Sequence, residues 1–344
     1  MFVFTILGSS MLLVSVYMYE MFEVSTYQGS IGRPAIINQR PIIGILAEEY
    51  FENKNSQAPN GSHIVASYVK MVESSGARVV PIFIGKDLAY YKNIVNTVNG
   101  ILLPGGGVDL WAEDGYGKAA DIIYNLVLNA NRNGTYFPLF GVCLGLEVLG
   151  VVSAEMSRTV LVDCKGVENI ALPLNFSDDY RSSALFSGTP QHIIDSLKTN
   201  ITSNHHSKCL TQASLYENNL TETWKVTSTS GVRGDLKFVS SMEHVEFPHI
   251  FGIQFHPEKV PFEWYNKNND PHDFNAIVAN RWFYDYFVDL ARRNDNSFSN
   301  KQKEESSIIY NYPAIYTGGY FQQIYRFQYS DSASTNLISV VSQQ

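Results

Sequence analysis

The chain has 344 residues, 45% of them hydrophobic and 17% charged, enough for one large α/β domain or two small ones. Its formal net charge of -8 excludes a globally basic surface for nucleic acid. The three cysteines Cys143, Cys164 and Cys209 are too few for a disulfide scaffold, and an odd count in a secreted chain leaves a thiol free. Pairing of Cys164 with Cys209 would leave Cys143, but geometry decides that and sequence does not.

Residues 1–19 carry no charge and read as the apolar region of a secretory signal. No Lys or Arg precedes Arg33, and no Ala-x-Ala cleavage site follows. A signal anchor is therefore the competing reading, since about 18 apolar residues span a bilayer. The expectation is a signal peptide or anchor in residues 1–24 and entry into the secretory pathway, lysosomal or extracellular. N-glycosylation sequons begin at Asn60, Asn133, Asn175, Asn200 and Asn219. A chain this rich in Asn, Ser and Thr would contain about three by chance, so they add little.

From residue 41 short apolar runs alternate with amphipathic segments. Residues 41–47 read as a buried strand. Residues 63–75 read as a helix with Ile64, Val65, Tyr68, Met71 and Val72 on one face and Gly76 as its stop. Strands are expected at 77–84 and at 100–104, the latter closed by Gly105-Gly-Gly107. A helix at 119–132 precedes a strand at 137–142, which runs into Gly141-Val-Cys-Leu-Gly145 and a helix at 144–152. This order predicts a mostly parallel sheet with helices on both faces, whose ligands bind outside the carboxyl ends of the strands. Cys143 and the Gly105 turn both lie at such ends.

Beyond residue 152 the pattern shifts to shorter, antiparallel strands at 160–164, 166–172, 225–229 and 236–240, around a polar stretch at 175–219. Residues 249–255 read as one more central strand and 274–293 as a long aromatic-rich helix. Residues 297–307 read as a surface linker, 310–329 show no period, and 330–344 read as disordered. The expected organisation is a catalytic domain over 40–296 followed by a linker and Tyr/Gln-rich tail over 297–344, with no internal repeat.

Gly-x-Cys-x-Gly between strand and helix is the thiol form of a nucleophile elbow, in which the nucleophile is pushed into the open. The positive helix end would stabilise a Cys143 thiolate and lower the thiol pKa. The bland alternative is core packing, because cysteine is among the most often buried residues. A thiol nucleophile needs a base and the base an orienting acceptor. His256, at the end of the strong apolar strand 249–255, supplies the first. Glu258, two residues on in extended chain, reaches the far imidazole nitrogen and supplies the second. The alternative is a polar turn. Oxyanion donors are expected from the Leu144 amide and from the Gly105 and Gly106 turn. That turn is not followed by a nucleotide-loop pattern. His205 and His206 sit side by side with no further ligand at zinc spacing, so they read as substrate contacts or as a solvated loop. No cofactor or metal is expected.

These residues together resemble the γ-glutamyl hydrolase family, within the class I glutamine amidotransferase-like group. The blocks that carry the resemblance include Ala66-Ser-Tyr-Val-Lys70, Leu103-Pro-Gly-Gly-Gly-Val-Asp-Leu110, Gly141-Val-Cys-Leu-Gly-Leu-Glu147, Phe255-His-Pro-Glu-Lys259 and Ile315-Tyr-Thr-Gly-Gly-Tyr-Phe-Gln-Gln323. They span residues 40 to 327. Elbow and His-Pro-Glu belong to the whole group; the other blocks point to γ-glutamyl hydrolases. The resemblance implies a flavodoxin-like three-layer fold and cleavage of γ-linked glutamates from folylpoly-γ-glutamate through a thioester on Cys143. His256 would be base and then acid, and Glu258 its holder. The resemblance also gives His206, in Asn204-His-His206, a functional role, and implies homodimers. The rival reading is a glutaminase domain that releases ammonia from glutamine, for which no nucleotide-binding second domain follows Val260.

Overall fold

A computed structural model describes residues 38–328 of the chain, apart from 53–55, 57 and 233–235. The signal or anchor reading of residues 1–24 and the disordered reading of 330–344 lie outside the described residues.

The strand Ile42–Leu46 shows how the layers arise. Ile42 and Leu46 join one apolar cluster while Ile43 and Ile45 join another, because successive side chains of a strand point to opposite faces. The same split separates Leu139 from Phe140 and Ile250 from Phe251. Both faces of the sheet are thus apolar, and each is covered by helices. Ala66–Ser74 and Phe274–Ala291 pack on the face of Phe140 and Phe251. Leu88–Val95, Tyr116–Arg132 and Leu144–Ser153 pack on the opposite one.

The central sheet has eight strands in the order Arg78–Ile82, Ile42–Leu46, Gly100–Leu103, Leu139–Val142, Ile250–Ile253, Phe238–His244, Trp224–Ser230, Asn175–Phe176. The first five run parallel and the last three antiparallel. Ile253 lies beside Val142 in the parallel register, so the chain leaves both strands at the same end of the sheet. Cys164 and Cys209 form a disulfide next to the two-stranded ribbon of Val162–Asp163 and Lys208–Cys209, and Cys143 is left as a free thiol.

Two sequence expectations need correction. Residues 63–65 are not helical: Ser62–Val65 is a strand, and the helix begins at Ala66. Its partners are Glu48–Glu49 and the distant Gln323–Phe327, and pairing on both sides favours strand over helix for β-branched Ile64 and Val65. Residues 297–307 are not a plain linker, and the segment 310–327, which shows no period in the sequence, holds two strands. Lys301–Ser307 is a helix tied to the domain by the Arg78–Glu304 ion pair, and Ala314–Tyr316 and Gln323–Phe327 complete a four-stranded antiparallel sheet. Ile324 and Phe327 are buried there. The polar stretch 175–219 holds short elements, among them the strand Thr202–Asn204 that brings His205 and His206 inward.

Candidate active site

The strand Leu139–Val142 stops at Cys143, whose φ of 52° and ψ of −108° place a non-glycine residue in a left-handed conformation. Its amide donates to the Ile253 carbonyl at 2.8 Å, and its carbonyl accepts the Glu147 amide at 3.0 Å, the first turn of the helix. The flanking glycines serve close approach. A Cβ on Gly141 would lie 2.5 Å from the Gly145 carbonyl oxygen, and one on Gly145 would lie 2.0 Å from that of Leu103.

The thiol is not in the open. Cys143 is 3% exposed, and burial pushes its pKa well up, with the nearby carboxyls of Glu147 and Glu258 adding to the rise. The Leu144 amide and Lys259 both act in the thiolate-favouring direction, but burial wins. The expectation of a lowered thiol pKa is therefore reversed at rest.

His256 emerges one strand over, past the end of Ile250–Ile253, and its amide donates to the Ser203 carbonyl at 2.8 Å. Its Nδ1 lies 2.7 Å from Oε1 of buried Glu258. Burial, with help from Lys259 and His205, holds the imidazole well below its ordinary pKa. Burial also lifts Glu258 to about 7. Thiol and imidazole are thus both neutral at rest. Their common neighbour is Gly105: a Cβ there would meet His256 Cε1 at 2.6 Å, the Tyr68 hydroxyl at 2.7 Å and Cys143 Cβ at 3.1 Å.

Of the expected oxyanion donors, Gly105 already gives its amide to the Tyr68 hydroxyl at 2.9 Å. That hydroxyl also stands 3.2 Å from His256 Nδ1. The Gly107 amide donates to Oε2 of Glu48 at 3.3 Å. The Gly106 amide is engaged by no side chain or other backbone group among the described residues. It and the Leu144 amide are the donors that can still turn to a substrate.

The two histidines occupy different places. His206 is buried, with Nδ1 2.9 Å from the Lys208 carbonyl and Nε2 3.3 Å from Oδ1 of Asn204. Burial drops its pKa to about 4. Both of its nitrogens are occupied inside the protein. His205 is the one whose ring meets His256, edge to face with centroids 5.9 Å apart, while its Nε2 lies 2.7 Å from Asp270. The resemblance favoured His206, whereas the ring placed against His256 is that of His205.

Several neighbours of the thiol went unread as site residues. Gln254 directs Nε2 to Glu147 at 2.8 Å and towards the Cys143 sulfur at 3.8 Å. Its signal was present in the sequence: it sits two residues before His256, so both point to one side of the extended chain. Tyr320 gave no such signal, because the tail segment that brings it in is remote in sequence.

Residues 41–258 match the family model described as Peptidase C26. A gamma-glutamyl hydrolase of Rattus norvegicus is 38% identical over 293 residues, which cover 84% of this chain and 90% of that protein. Gamma-glutamyl hydrolase B of Dictyostelium discoideum is 39% identical over 305 residues, covering 87% of this chain and 86% of that one. Among solved structures, the glutaminase domain of Trypanosoma brucei CTPS with bound acivicin aligns over 74% of this chain and 95% of that one, at 15% identity and a TM-score of 0.47.

Proposed function

The chain belongs to the peptidase C26 family of γ-glutamyl hydrolases and is a cysteine-type hydrolase of γ-glutamyl bonds, and from that premise we infer that Cys143 is its nucleophile, His256 its base and Glu258 the holder of the base. The observation that carries this assignment is the exit of Cys143 and His256 from adjacent parallel strands at one sheet end, with Glu258 on the far ring nitrogen of His256.

The neutral pair sets the order of events. The γ-carbonyl of the substrate takes the place next to the sulfur, with its oxygen towards the Leu144 and Gly106 amides. His256 Nε2 removes the thiol proton as sulfur attacks carbon, so no thiolate has to persist in the buried site. The imidazolium that forms is stabilised by Glu258 and then protonates the leaving amine. A γ-glutamyl thioester remains on Cys143. Water, deprotonated by the same imidazole, cleaves it and returns the thiol and a free γ-carboxylate. Folylpoly-γ-glutamates are the substrates this reading assigns. The disulfide between Cys164 and Cys209 supports an oxidising, secretory location, as do sequons exposed at Asn133, Asn175, Asn200 and Asn219. No helix among the described residues is long and apolar enough to cross a membrane.

The test is incubation of the enzyme and its Cys143→Ala variant with a γ-linked pentaglutamate and, separately, with free glutamine. Shortened oligomers from the wild type alone, with glutamine untouched, are expected. Release of ammonia from glutamine without cleavage of the oligomer would overturn the substrate assignment. Near wild-type cleavage by the variant would remove Cys143 from its role.

A further inference from the structure

Glu48 lies on the two-residue strand Glu48–Glu49, which pairs with Ser62–Val65, itself paired on its other side with the tail strand Gln323–Phe327. Its side chain leaves that small sheet and meets the glycine turn that faces Cys143. Oε2 accepts the Gly107 amide at 3.3 Å. The carboxyl also fills the space against Gly106, where a Cβ would stand 1.8 Å from Oε2 and 2.6 Å from Cδ. Oε1 lies 3.3 Å from Nε2 of His63 on the neighbouring strand. Both side chains are buried.

The reaction read above gives this carboxyl no task, although it abuts the turn whose Gly106 amide receives the oxyanion. The Gly105 amide donates to the Tyr68 hydroxyl at 2.9 Å, and the Tyr116 hydroxyl donates to the Pro104 carbonyl at 2.7 Å. Tyr68 and Tyr116 thus hold the turn ahead of Gly106, and Glu48 holds it behind. Glycine backbone rotates freely, and Gly106 has no side chain of its own to pack. A carboxyl that fills the missing side-chain space and binds the next amide fixes where the Gly106 N–H points. It does so best while neutral, because Oε1 can then give its proton to His63 as Oε2 accepts from Gly107. Burial keeps it neutral, with a pKa raised to about 8. Of the titratable groups around it, Glu49 adds to that rise, His63 is lowered by burial to about 4, and the buried Tyr116 phenol stays protonated.

We propose that Glu48 is a positioning residue for acyl transfer at Cys143: it braces the Gly105-Gly-Gly107 turn from behind, so that the Gly106 amide is aimed at the oxyanion that forms as the sulfur attacks. The proposal rests on the reading of Cys143 as the nucleophile. An oxyanion donor acts by being in place before charge develops, so a loosened turn slows the acyl step and leaves substrate binding largely unchanged. Ionised Glu48 acts against the reaction, since it sets a negative charge behind the amide that must receive one. The four-stranded sheet completed by the tail thereby has a part in catalysis, because it carries Glu48 to the turn.

The experiment measures kcat and KM on a γ-linked pentaglutamate for wild type, Glu48→Ala and Glu48→Gln. Alongside them it measures the rate at which iodoacetamide alkylates Cys143, a displacement that forms no oxyanion. Glu48→Ala is expected to lower kcat by about 10- to 100-fold, with KM and the alkylation rate each within about threefold of wild type. Glu48→Gln, whose amide can bind His63 and Gly107 as the neutral carboxyl does, should restore kcat to within about threefold. An undiminished kcat in Glu48→Ala overturns the proposal, and so does alkylation that falls as far as kcat, which would make Glu48 a prop of the whole site. Where Glu48→Ala fails to fold, the pH profiles of wild type and Glu48→Gln decide. A wild-type kcat that declines as pH rises through about 8, where that of Glu48→Gln holds level, supports the proposal, and parallel profiles reject it. A wild type that leaves the pentaglutamate intact overturns the γ-glutamyl reading instead, and the same comparisons on acylation of Cys143 by p-nitrophenyl acetate then decide the role of Glu48.

Discussion

Gly145 presses so closely on Leu103 that a Cβ on the glycine would stand 2.0 Å from the leucine's carbonyl oxygen. Leu103 ends the strand that leads into the Gly105 turn, and Gly145 lies in the first turn of the helix that follows Cys143. The contact therefore sets the thiol against the turn that faces it.

Gly145→Ala is expected to push the helix off that strand end, because backbone on the receiving side cannot yield as a flexible side chain would. The expected cost is about 1–3 kcal/mol, with activity falling further than stability as Cys143 leaves its place by a fraction of an ångström. Thermal melts and turnover on one preparation test this. Unchanged turnover would show that the elbow tolerates the extra methyl.

Glu258→Gln keeps the shape at His256 Nδ1 but removes the charge that faces it at 2.7 Å. The imidazolium formed during thiol attack then lacks its counter-charge. A fall in kcat of about 10²- to 10⁴-fold with little change in KM is expected. Rate against substrate concentration separates the two; a rise in KM alone would make Glu258 a binding residue.

Buried Glu48 governs stability on the alkaline side. Burial, reinforced by Glu49 and opposed by the Gly107 amide, raises its pKa from 4.5 to about 8. Between those values the folded chain holds a proton that the unfolded chain has lost, so stability falls as pH rises through this window. His63 and His206, each lowered from 6.5 to about 4, act with the opposite sign between those values. The interval from 6.5 to 8 is free of them, although Glu147 and Glu258, both raised to about 7, share it. Glu48→Gln should flatten the decline and raise Tm at the upper end of that interval by about 2–4 °C for each kcal/mol relieved. Melts across the interval test it; parallel curves for the two proteins would show that Glu48 does not titrate there.

The central architecture was legible because its signals are local. Alternating apolar runs and helical periods located the parallel strands, and the two glycines around Cys143 marked the elbow. An i+2 spacing sufficed to join His256 to Glu258. The strands Ser62–Val65 and Gln323–Phe327 pair with each other across the chain, and no local pattern encodes that pairing.

Sequence by itself determined which residues could do the chemistry and at which end of the sheet they would meet, because side-chain type and strand-helix alternation are local properties. Only the tertiary structure decided their electrostatic state. Burial by distant segments reversed the expected thiol shift, gave the place beside His256 to His205, engaged Gly105 with Tyr68 and left the ammonium of Lys259 without an acceptor. Desolvation depends on everything packed around a group, and that sum does not exist until the chain has folded.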